Sequence, residues 1–160
     1  MKLILSGILA ILIGGCASIN IQPPVEHPID KSRNYSFPYE KTWLRAVDWF
    51  ADHGVIIEKI EKSSGLLTAK YYIDADNEDF LDCGDIKASG TLGSPVISKY
   101  GLLNLTVREI NGNSTKVNVN FFGEFEIEAN DAWDGRLIIT KGQCVSTGKL
   151  ENSILTYISN

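Results

Sequence analysis

The densest run of groups able to do chemistry in this chain of 160 residues is DADNEDFLDCGD, residues 74–85. Asp74, Asp76, Glu78, Asp82 and Asp85 stand at positions 1, 3, 5, 9 and 12 of that run, which is the oxygen-donor spacing of a calcium loop. The pattern is incomplete. Asp79 occupies position 6, where the sharp turn calls for glycine, and the short Asp85 replaces a bidentate glutamate at position 12. The acids read as a solvated loop, with weak calcium binding at Asp74, Asp76 and Glu78 as the alternative. Acids adjacent in one loop are poor evidence for the paired carboxylates of glycoside hydrolysis. A general base is equally hard to find. His27 sits in a proline-rich stretch, and His53 precedes Gly54 at the end of an expected helix, where a cation suits the helix dipole. GxSxG, P-loop and GxGxxG patterns do not occur. The expectation is a protein that is not an enzyme, with no catalytic residue, no metal and no cofactor.

The N-terminus is more informative. Lys2 is followed by an apolar stretch from Leu3 to Ile13, then by Gly14, Gly15 and Cys16, the layout of a secretory signal peptide. About eleven apolar residues fall short of the roughly 20 that a membrane-spanning helix needs. The tetrapeptide Ile13-Gly14-Gly15-Cys16 resembles a bacterial lipobox, with an aliphatic residue, two small residues and the cysteine that becomes lipid-modified. The resemblance implies cleavage after residue 15 and acylation of Cys16 by a diacylglycerol and an N-acyl chain. Each buried methylene of such chains contributes about 0.8 kcal/mol, so anchoring by several chains is effectively permanent. Ala17 stands where an aspartate would signal inner-membrane retention in Gram-negative lipoproteins. The implied location is the outer membrane, lipid-anchored, with the domain facing the periplasm.

Removal of residues 1–15 leaves 14 basic and 20 acidic side chains and no basic run. Nucleic acid is excluded as a partner, because binding phosphates needs clustered Lys and Arg. Export also places Cys83 and Cys144 where disulfides persist, and two cysteines with no neighbouring His or third Cys lack the ligand count of a zinc site. They are expected to pair, stabilising the fold by roughly 3 to 4 kcal/mol less any strain.

The elements that must position these groups follow from periodicity. Residues 16–34 carry three prolines and no sustained apolar period, and read as a lipidated tether that reaches at most about 60 Å when fully extended. A single domain then fills residues 35–160. Pro38 suits the first turn of a helix whose Trp43, Ala46, Val47 and Phe50 form one stripe, stopped by Gly54. Residues 55–73 read as a hairpin about Ser63-Ser64-Gly65, with Leu67, Ala69, Tyr71 and Ile73 on one face. A polar loop is expected from 74 to about 95. Leu103, Leu105 and Val107 face inward before the Asn111-Gly112-Asn113 turn, and residues 115–129 alternate with Phe122 as the one apolar break in the polar face, with a bend expected at Gly123. Residues 136–140, RLIIT, fit either a strand or a helix start. Ser146 or Thr147 can cap a last helix built on Leu150, Ile154, Tyr157 and Ile158.

The fold class expected is α+β, an antiparallel sheet with two amphipathic helices packed on one face. Phe37-Pro38-Tyr39 through Trp43, HGV at 53–55, SSGLLTAKY at 63–71 and CVSTGKLENSI at 144–154 resemble small Gram-negative outer-membrane lipoproteins with a BamC-like helix-grip domain. One such domain fits this length. The resemblance implies a protein-interaction or assembly module of the envelope, docking onto another envelope protein through a strand edge or the loop around Trp133, where an exposed aromatic marks a contact surface. The second reading is a carrier holding a small apolar ligand between the sheet and the C-terminal helix.

Overall fold

The structure is a computed structural model and describes residues 18–73, 80–89, 95–131 and 133–160. The elements in chain order are β1 Ser18–Gln22, β2 Ser32–Tyr35, α1 Tyr39–Asp52, β3 Ile57–Glu61, β4 Leu66–Ile73, β5 Leu81–Asp82, β6 Asp85–Ser89, β7 Val96–Asn111, β8 Ser114–Asn130, β9 Leu137–Ser146 and α2 Lys149–Ser159. The architecture is α+β: a curled antiparallel sheet in the order β3-β4-β7-β8-β9-β5, two helices, and a separate two-stranded pair of β1 with β6.

Alternation in residues 115–129 produces the longest strand. Thr115, Val117, Val119, Phe121, Phe125, Ile127 and Ala129 are all buried while their neighbours are not. The two-residue turn at Gly112-Asn113, braced by Asn111 Oδ1 accepting from the Asn113 N–H at 3.0 Å, brings β8 back along β7; after an irregularity between Glu109 and Asn111 the strands keep one register from Glu109↔Thr115 to Val96↔Glu128. A slip of one residue would turn the apolar set of either strand outward. The other edge of β8 is divided: β2 pairs with Thr115–Asn118 and β9 with Gly123–Asn130.

Glycines admit close neighbours along β7 and β8. Gly101 and Gly123 are cross-strand partners. A Cβ on Gly101 would come within 2.2 Å of the Phe121 ring, and one on Gly123 within 2.2 Å of Leu81. At Gly123, where the sequence suggested a bend, β8 keeps its pairing with β7, and the glycine instead lets a buried side chain cross close to the strand backbone.

Both helices bury most of the stripes that periodicity singles out, Val47 and Tyr157 being only partly buried. From α1 come Trp43, Ala46 and Phe50, joined by Thr42 and Trp49; from α2 come Leu150, Ile154, Leu155 and Ile158. The helices touch each other, α1 touches β7 and β8, and α2 touches β8 and β2. Several polar groups in these contacts are paired. The Tyr35 hydroxyl donates to the Leu155 carbonyl at 2.6 Å, Arg45 donates to the Ile158 carbonyl at 2.9 Å, and the Thr42 and Thr115 hydroxyls meet at 2.7 Å.

Three local readings change. The segment 16–34, read as a tether, carries β1 and β2, because Ile19 and Ile21 alternate with polar residues and pack partly buried against the core. A five-residue alternation followed by two prolines is a weak signal on its own, and the partner strand is what realises it. The polar stretch 74–95 contains β5 and β6. The last helix is capped by Gly148 at φ 83°, not by the side chain of Ser146 or Thr147. Ser146 acts one turn away: its Oγ donates to Glu151 Oε2 at 2.7 Å and accepts the Gly148 N–H at 3.0 Å. The ambiguous RLIIT resolves as the start of β9, since Leu137–Lys141 pair with β8.

Cys83, between β5 and β6, lies at disulfide distance from Cys144 of β9, with an S–S separation of 2.00 Å and a sequence separation of 61. Closing a loop of that length restricts the unfolded chain. Replacing both cysteines by alanine is expected to lower the unfolding free energy by about 3 to 4 kcal/mol, measured by urea denaturation under non-reducing conditions. Burial pushes the Tyr35 hydroxyl up to about 12. Because the folded state holds this proton more tightly than the unfolded chain, its contribution is complete below the ordinary tyrosine value near 10 and lost as pH rises toward 12. Stability is therefore expected to fall between pH 10 and 12, and Tyr35→Phe to make that fall shallower, at the cost of about 1 kcal/mol at neutral pH for the lost hydrogen bond.

Candidate interaction surface

The turn between β8 and β9 is built to present a side chain. Backbone hydrogen bonds run from the Asp131 N–H to the Arg136 carbonyl at 2.9 Å and from the Gly135 N–H to the Asp131 carbonyl at 2.8 Å. Two aspartates brace it: Asp131 Oδ1 accepts the Trp133 N–H at 2.8 Å, and Asp134 Oδ1 accepts the Arg136 N–H at 2.9 Å. Gly135, at φ 72°, supplies the left-handed residue that closes the turn. At the apex Trp133 is 90% exposed. An indole left in water on a braced turn is the kind of residue found at contact surfaces.

The apolar surface continues down the hairpin. Leu137 and Ile139 share the face of β9 that points away from the core, and register places Ile139 opposite Glu128, which in turn lies opposite Val96. Leu137, Ile139 and Val96 are all exposed. Below them Lys141 pairs with Glu126 at 2.6 Å. That hydrogen bond holds the Glu126 carboxyl below, and the Lys141 ammonium above, its ordinary value. The pair is open to solvent and adds little to stability.

A second exposed apolar set lies at the opposite edge of the sheet. Among the described residues β3 pairs with β4 alone, and Ile56 and Ile60 are exposed beside its open edge. Such an edge offers unpaired backbone groups to another chain.

Of the residues singled out by type and spacing, Trp133 heads the first surface, while Cys83 and Cys144 tie β5 and β6 to β9. Cys16, Asp74, Asp76 and Glu78 lie outside the described residues. Of the remaining acids, Asp82 Oδ1 accepts the Gly84 N–H at 2.8 Å and Asp85 pairs with Lys87 at 2.6 Å. Among the described residues no three His, Cys, Asp or Glu side chains are grouped to hold a metal ion, and no helix is long and apolar enough to cross a membrane. His53 caps α1, its ring stacked on Trp49 at 4.6 Å with Nδ1 2.8 Å from the Trp49 carbonyl. His27 lines an open cleft of about 290 Å³ with Glu26, Phe121 and Phe122, where the chain passes between β2 and β9.

Sequence reasoning missed Trp49, which is buried beside Phe50, and Glu151, fully buried with its Oε1 unpartnered among the described residues. It also missed the company that Leu137, Ile139 and Val96 keep with Trp133. The alternation within RLIIT carried part of that signal; the register with Val96 did not show. Phe121, Phe125, Leu150, Ile154, Leu155 and Ile158, none more than 2% exposed, fill the core. Three surface clefts of about 290, 490 and 580 Å³ have no lining residue from α2.

No protein-family model matches the chain, and no curated protein matches it. Because Trp133 is anchored only through its backbone, Trp133→Ala is expected to change stability by less than about 0.5 kcal/mol in urea denaturation, which makes it a clean probe of contact.

Proposed function

We propose that this chain is a non-enzymatic lipoprotein of the outer membrane, acylated at Cys16, whose domain faces the periplasm and serves as a protein-interaction module of the envelope. On this reading the domain is of the BamC-like helix-grip type, with α1 and α2 gripped on one face of the curled sheet. The observation that carries the docking role is the open edge of β3, flanked by Ile56 at 79% and Ile60 at 53% exposure. A monomer gains nothing by leaving apolar side chains beside unpaired backbone, and strand addition by a partner would cover both. The filled core supports docking over the carrier reading, since Phe121, Phe125 and the apolar stripe of α2 occupy the volume that a ligand would need.

A photo-crosslinking residue placed at Ile60 in the native envelope is expected to give a discrete adduct with another envelope protein, and one at Asn113, in the turn between β7 and β8, none. Ile60 adducts no stronger than those at Asn113 would sink this reading.

A further inference from the structure

The N-terminal segment keeps a fixed course along β8. Taken backwards from Tyr35, it lies opposite Thr115, then Ser32 lies opposite Asn118, and the Lys31 carbonyl accepts the Val119 N–H at 2.8 Å. Ile29, His27 and Glu26 share a cleft with Phe121 and Phe122, and Pro24, Pro23 and Ile21 share the next with Phe125 and residues 141–143. Each step toward the N-terminus is a step toward the β8–β9 turn.

Carried on in the same direction, that course sets how near the anchor can come to the turn. From Ile21 to Ser18 β1 advances about 10 Å, while β8 needs about 17 Å from Phe125 to its end at Asn130. Two further residues, from Ser18 to Cys16, reach at most about 7 Å. The sulfur of Cys16 can therefore come level with the turn that carries Trp133, and the chain connecting them is too short to hold the domain clear of the surface on which the acyl chains are seated.

We infer that the β8–β9 hairpin tip is a second membrane contact, in which Trp133, with Leu137, Ile139 and Val96 behind it, rests in the interfacial layer of the bilayer that holds Cys16. The occupant is a lipid surface, and the inference rests on acylation of Cys16 as proposed above. Indole is suited to this layer, its apolar body meeting acyl chains and its N–H meeting headgroups and water. The carboxylates of Asp131 and Asp134 are engaged in bracing the turn, so the contact takes its hold from the indole and aliphatic side chains and does not require anionic lipid. A tip seated in this way fixes the orientation of the domain and turns the β3 edge, at the far side of the sheet, toward the periplasm.

Tryptophan fluorescence tests this directly, because Trp43 and Trp49 are buried at 4% and 1% exposure while Trp133 is open. The full chain recovered from membranes is weighed by mass spectrometry for acylation of Cys16 and reconstituted into phosphatidylcholine vesicles containing dibrominated acyl chains. The expected result is a blue shift and quenching of the exposed component, both lost in Trp133→Ala. Acylated, vesicle-bound protein whose Trp133 emission stays water-like and unquenched would overturn the inference. So would a Trp133 that is quenched by no lipid but forms crosslinks to a protein partner, which would return the tip to protein recognition. If the mass shows no acyl chains, it is the anchoring reading that fails. The Cys16 thiol is then coupled to a maleimide-bearing lipid and the same quenching measurement decides the tip.

Discussion

The pairing of β7 with β8 is the constraint on which the rest of the molecule depends. Fourteen cross-strand partnerships, from Glu109↔Thr115 to Val96↔Glu128, set one register across two long strands, and that register decides simultaneously which side chains enter the core and which lie in water. Period-two alternation leaves little freedom: shifted by one, β8 would expose Val117, Val119, Phe121, Phe125 and Ile127 together. Everything else is attached to this frame. β4 extends it on the β7 side, β2 and β9 share the remaining edge of β8, and the apolar stripes of α1 and α2 complete the core.

Dividing one strand edge between two partners has a structural consequence. Where β2 ends at Asn118 and β9 begins opposite Gly123, β8 has no ladder partner from either strand. The chain between β1 and β2 passes there, giving an open cleft with Phe122 in its wall. Phe122, the one apolar break in the polar face of β8, thereby finds a place. Farther along, Cys83 reaches Cys144 opposite Gly123, and the missing Cβ at that glycine admits Leu81. The cross-link, the missing Cβ and the docking of β5 are one packing arrangement seen from three residues.

The outer surface separates into regions with different character. The hairpin tip gathers exposed apolar side chains on a turn made rigid by backbone and aspartate hydrogen bonds, whereas the β3 edge combines exposed isoleucines with open backbone. The hairpin tip and the β3 edge thus lie apart on the main sheet, the one at the end of β8 and β9 and the other along the outermost strand.

The sequence by itself determined the α+β class, most of the two helical stripes, the Asn111-Gly112-Asn113 turn and the inward set of β7 and β8, because each depends on neighbours within a few residues whose periodicity or backbone preference is local. Pairing of Cys83 with Cys144 was also legible, from the small number of candidates. Tertiary structure alone decided what rested on distant partners. β1 and β5 are too short to stand without the strands beside them, the cap of α2 passed to Gly148 because Ser146 was drawn to Glu151, and Trp49 became core through contacts outside the stripe already assigned. The gathering of Val96, Leu137 and Ile139 behind Trp133 belongs to the same class. Residues some forty positions apart in the chain share a surface there only because three strands lie in register, and register over that distance is a property of the folded sheet.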